Sequence, residues 1–117
     1  MKNKQALKII SEIIENVSEN GIDSETVVKK LKELRVFAVE EKRPVVAKSL
    51  RLAYEHIEEN DGFIIPIPTD EPLEGEHEDT QLITGVESLI YLMNLVKKSS
   101  NSINLQEIRE YNRYFEI

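Results

Sequence analysis

Residues 82–98 read LITGVESLIYLMNLVKK, and this stretch decides the fold. Leu82, Val86, Leu89, Met93 and Val96 recur at helical spacing, while Ile83, Ile90, Leu92 and Leu95 spread the apolar surface most of the way round. A helix apolar on nearly every side belongs at the centre of a bundle. The run falls short of the roughly 20 apolar residues that cross a bilayer, and Glu87 and Asn94 interrupt it. The spacing predicts a helix from about 80 to 98. Gly85 lies inside it, at a cost of roughly 1 kcal/mol relative to alanine. Close approach of the third helix would account for that residue.

Upstream, three further helices are predicted. Ala6, Ile10, Ile13 and Val17 form one stripe, widened by Leu7 and Ile14, and Asn20-Gly21 ends it because glycine accepts the left-handed conformation. Asp23 or Ser24 starts a second helix whose core positions are Val27, Leu31, Leu34 and Ala38, with Phe37 beside them. Arg43-Pro44 breaks that helix and suits Pro44 to the first turn of a third. The third buries Val46, Leu50, Ala53 and Ile57 and ends near Asn60-Asp61-Gly62. Downstream, residues 99–102 form a short linker. Asn104 and Glu107 make a capping-box-like start for a fifth helix presenting Leu105, Ile108, Tyr111 and Phe115.

Residues 62–79 differ in kind. They hold Pro66, Pro68, Pro72, Gly62 and Gly75. Phe63-Ile64-Ile65-Pro66-Ile67-Pro68 is apolar enough to pack, but proline at alternate positions restricts it to an isolated or edge extended segment. The polar tip, 69–79, is expected to be mobile. The expected architecture is therefore all-α: one domain over 1–117, a compact bundle of about five helices, with one long acidic loop between helices 3 and 4.

The 117 residues carry a formal charge of −7, and that charge is localised. Residues 52–96 contain 11 acids and no Lys or Arg, whereas 1–51 hold 11 bases against 8 acids. Such a base-free run reads first as a solvated loop and second as a docking surface for a basic partner. Lys29, Lys30, Lys32 and Arg35 on the second helix and Arg43, Lys48 and Arg51 on the third make a basic strip. Two helices joined tightly invite a helix-turn-helix reading. The acidic surroundings argue against it, since phosphate binding depends on positive potential. The strip could instead receive the acidic loop of a neighbouring subunit.

The chain has no cysteine, which excludes disulfides, thiolate metal sites and cysteine nucleophiles. Its glycines are isolated, so no phosphate-cradling loop is present. His56 reads as a partly buried or surface histidine. His77, in Glu76-His77-Glu78-Asp79, adds an imidazole to three carboxylates. Consecutive ligands on a loop make a poor cage for a metal that needs converging donors. Tyr111, Tyr114 and Phe115 are expected to clamp the last helix onto the bundle.

Two acidic pairs allow an enzyme reading. Glu55-His56-Ile57-Glu58 is an E-x-x-E pair and Glu76-His77-Glu78-Asp79 a formal E-x-x-D pair. Asn94-Leu95-Val96-Lys97-Lys98 and Asn112-Arg113-Tyr114-Phe115 look faintly like the tail of the all-α MazG-like nucleoside-triphosphate pyrophosphatases. The resemblance covers scattered residues over about half the chain. It implies magnesium held on a phosphate chain by Glu55, Glu58, Glu76 and Asp79. The chain departs from the family where the tail sets the register, because Thr84 and Glu87 then stand at the second pair.

The reading adopted from sequence is a small acidic helical module without catalytic activity or cofactor. It binds a basic protein partner or self-associates, in the cytoplasm, with no nucleic acid and no membrane. The expected contact residues are Phe63, Ile64, Ile65, Glu74, Glu76, Glu78 and Asp79. The alternatives are the magnesium-dependent pyrophosphatase and an immunity or inhibitor protein.

Overall fold

The computed structural model describes residues 1–68 and 82–117. It contains five helices: α1 (Lys4–Asn20), α2 (Ser24–Glu40), α3 (Pro44–Asn60), α4 (Val86–Lys97) and α5 (Ser102–Phe115). They form a compact all-α bundle in which α3 lies against α2 and α5, α1 against α2 and α4, and α4 against α5.

Local chemistry sets the helix ends. The Asn3 side chain accepts from the Gln5 and Ala6 amides, satisfying two donors that have no partner in the helix. Gly21, at φ 73°, ends α1. Between α2 and α3 the Lys42 N–H reaches Val39 O at 3.0 Å and the Arg43 N–H reaches Ala38 O at 2.9 Å. This is a Schellman closure, with Lys42 at φ 57° where glycine is the usual residue. Pro44 follows in the first turn of α3, where its missing N–H is not needed. Asp61 ends α3 in the same left-handed conformation, at φ 51°. Its carboxylate accepts the Ser24 hydroxyl.

The core follows the predicted stripes. Ala6, Ile10, Ile13 and Val17 are buried, as are Val27, Leu31, Leu34 and Ala38, then Val46, Leu50, Ala53 and Ile57. From α4 come Leu89, Leu92, Met93, Leu95 and Val96, and from α5 Ile108 and Tyr111. The amino group of Met1 lies at the end of α4, 3.3 Å from Lys97 O and 3.4 Å from the Ser99 hydroxyl. A positive group there complements the helix dipole. Burial lowers its pKa below the ordinary range.

Two boundaries differ from expectation. α4 begins at Val86, not near 80, because the Gly85 N–H is committed to Phe63 O at 2.7 Å. That bond holds the chain extended before the helix. Gly85 is thus the residue that turns into α4, at φ 74°, and a side chain there would meet nothing within 4 Å. Its reason is backbone conformation, not a helix crossing. α5 begins at Ser102, since Asn101 accepts from the amides of Ile103 and Asn104. The expected cap, Asn104, donates its side chain to Lys98 O at 3.1 Å instead. The expectation of a mobile tip falls on 69–79, outside the described residues.

Candidate functional site

The strip after α3 and the strip before α4 are tied together. Phe63 O accepts from Gly85 N, and Ile67 N donates to Ile83 O at 2.9 Å. The two extended pieces, 63–67 and 82–85, form a stem. Pro66 and Pro68 have no N–H, so within residues 66–68 only Ile67 can donate a backbone hydrogen bond.

Side chains alternate along the first piece. Phe63 and Ile65 point inward and are buried in the core, while Ile64 is 62% exposed. Phe63 packs edge-on against His56 at 5.6 Å and against Phe115 at 5.8 Å between centroids. Tyr111 closes the group at 6.5 Å from Phe63. Of the expected apolar contact residues, then, Phe63 and Ile65 are buried and Ile64 is exposed. Leu82 and Ile83, on the returning piece, are 55% and 46% exposed. The sequence reading had assigned both to a buried helix. Leu82 and Ile83 precede the Gly85 turn, which removes them from the stripe.

Ser88 locks the stem from below. Its hydroxyl donates to Ile65 O at 2.7 Å. The Tyr111 phenol donates to Ser88 O at 3.0 Å and lies 3.0 Å from the Ser88 hydroxyl oxygen. Burial pushes the Tyr111 phenol well above its usual range, so it keeps the proton this network requires. Tyr111 fulfils the expected clamp; Ser88 carries no signal in sequence because a serine in an apolar helix reads as a surface gap.

His56 holds the stem from the side. Its Nε2 accepts the Ile64 N–H at 3.1 Å, which places the ring proton on Nδ1. Asn60 lies 3.3 Å from Nδ1 and is held by donating to His56 O at 2.9 Å. Burial lowers the His56 pKa below the ordinary value, and the nearby Glu59 charge opposes this only in part. His56 is therefore neutral and structural, in keeping with the partly buried reading.

The carboxylates of the first acidic pair are each engaged. Glu55 accepts from Arg51 at 3.1 Å and Glu58 faces Lys32 at 3.8 Å. Glu74, Glu76, His77, Glu78 and Asp79 lie outside the described residues. Among the described residues, no group of three acidic, His or Cys side chains is placed to hold a metal ion.

The basic strip is divided by the fold. Lys30 turns to Glu12 of α1 at 3.4 Å, and Lys32 sits over the Tyr54 ring at 5.2 Å. Arg35 turns the other way, toward the cations of the α2–α3 turn, donating its Nε to Ala47 O at 3.1 Å. No helix among the described residues is long and apolar enough to cross a membrane. Comparison with protein-family models, curated proteins and solved structures gives no match.

Proposed function

We propose that the chain is a non-catalytic helical interaction module that receives a basic protein partner on the stem and on the acidic segment it carries. The observation that supports this most is the stem. It is rooted in the core by Phe63 and Ile65 and bonded on three sides, yet it leaves Ile64, Leu82 and Ile83 exposed. A rigid base with apolar residues outward is what a contact surface requires, since anchors held in place lose little entropy on binding. Asp70, Glu71, Glu74, Glu76, Glu78 and Asp79 follow directly in sequence, with no base among them. Their charge speeds encounter with a basic partner more than it tightens the final complex.

The test is a captured partner re-examined as a purified pair. Binding should weaken as salt rises. Charge-neutralising changes at Glu74, Glu76, Glu78 and Asp79 should slow association, and Ile64→Ser should hasten dissociation. If both variants bind every purified partner as the parent chain does, the acidic surface is only a solvated one. A sedimentation coefficient that falls with salt would identify the partner as a second copy.

A further inference from the structure

The opposite end of α3 carries a groove that the acidic surface does not use. Arg35, Lys42, Arg43, Lys48 and Arg51 surround an open depression of about 690 Å³ at the α2–α3 turn. Its floor is apolar, formed by Val39, Pro44 and Ala47, and Val39 is 54% exposed. Lys48 is paired with Glu116 at 3.0 Å and Arg51 with Glu55 at 3.1 Å. Lys42 and Arg43 are in no ion pair among the described residues. The nearest acid in sequence, Glu41, accepts the Lys2 and Asn3 amides at 2.9 and 3.3 Å, and its charge acts on Arg43 without an ion pair between them. The turn therefore presents two cations outside any ion pair beside an apolar floor on which Val39 is exposed.

Lys42 adds a second observation. It occupies the left-handed position of the Schellman closure, which favours glycine. A glycine would close the turn with less strain but would leave one cation fewer on the groove.

We infer that this groove binds an acidic peptide segment of a partner protein, with carboxylates on Lys42 and Arg43 and an apolar side chain on the Val39–Pro44 floor. The pairing of charge with apolar surface selects this occupant. A single-stranded nucleic acid would need aromatic faces for its bases, and no aromatic residue lines the groove. The chain's charge of −7 also opposes a long polyanion. The inference is independent of the acidic surface proposed above, because it uses none of its residues.

The experiment is fluorescence anisotropy with a short labelled Glu/Leu peptide on the full chain, compared with a Gln/Leu peptide and a single-stranded oligonucleotide of equal charge. The Glu/Leu peptide should bind, the Gln/Leu peptide should not, and the oligonucleotide should bind more weakly. The double variant Lys42→Gln, Arg43→Gln should weaken peptide binding at least about tenfold, as loss of two charge contacts implies. Val39→Ser should weaken the peptide and leave the oligonucleotide unchanged. Lys42→Gly should melt higher yet bind more weakly, which separates a binding role from a folding one. No binding of the Glu/Leu peptide overturns the inference. So does an oligonucleotide that binds as tightly and ignores Val39→Ser. Salt-sensitive self-association abolished by the double variant would also overturn it, by giving the groove to a second copy.

Discussion

The two ends of α3 begin from similar material and are used differently. Each is bounded by a non-glycine residue in the left-handed conformation, Lys42 before the helix and Asp61 after it. Each has apolar side chains and a set of charges nearby. After Asp61 the apolar strip turns inward: Phe63 and Ile65 enter the core, and His56, Ser88 and Tyr111 bond it in place. Before Pro44 Val39 stays outside, and Lys42 and Arg43 are in no ion pair among the described residues. One end is thus a support whose function lies in what it holds up, and the other is itself a surface. The strip after Asp61 can be buried because its polar groups find partners in the fold, whereas Val39 is already bonded within the end of α2 and is exposed by the helix face it occupies.

The largest effect should come from removing the support. Phe63→Ala deletes a buried ring and should lower stability by about 3–5 kcal/mol, read as a fall in thermal midpoint. Val39→Ala at the other end should change it little, since Val39 is half exposed. Equal effects would erase the contrast. Ser88→Ala leaves Ile65 O without its donor and should cost about 1–3 kcal/mol. A smaller loss would mean that the Ser88 bond adds little to the other contacts that hold the stem.

The two left-handed residues give the next comparison. Lys42→Gly should stabilise by about 1 kcal/mol, by relieving backbone strain. Asp61→Gly should gain less, because it also removes the acceptor of the Ser24 hydroxyl. The reverse order in urea midpoints would show that the Ser24 bond contributes nothing.

The smallest effect should be that of pH on His56. Its folded pKa lies below the ordinary value, so the unfolded chain takes up a proton first as pH falls. Stability from this group is present above about pH 6.5 and is lost as pH falls through the folded pKa. A proton on Nε2 would meet the Ile64 N–H, one donor against another. The protection of the Ile64 amide, its exchange relative to an unstructured amide at the same pH, should therefore fall at acidic pH before that of the α1 amides. A His56→Gln chain, which lacks the titrating ring, should lose that pH dependence.

Much of the helical framework was legible in the sequence. Each stripe of α1, α2 and α3 was readable from spacing, and Gly21, Pro44 and the 60–62 stop punctuate the chain through local conformational preference alone. The start of α4 was not legible. Residues 82–84 continue the apolar pattern, and only the bond from Gly85 to Phe63, 22 positions earlier, pulls them out of the helix. Asn101 and Asn104 are equally good caps locally, but the Asn104 side chain is bonded to Lys98 O, which leaves the cap to Asn101. The candidate site was visible as a composition: a strip of apolar residues followed by acids. Which of Phe63, Ile64 and Ile65 faces outward was not.

The sequence by itself determined the number of helices, the buried stripes of α1, α2 and α3 and the separation of acidic from basic residues along the chain. Those properties follow from side-chain period and from backbone preferences that act within a few residues. Tertiary structure alone decided that His56 accepts from Ile64, that Ser88 joins the stem to Tyr111, and that the basic strip divides. In each case a side chain or amide had several neighbours in sequence able to satisfy it. Its partner was chosen by burial, which removes water as an alternative and leaves the one group the packed helices bring within reach.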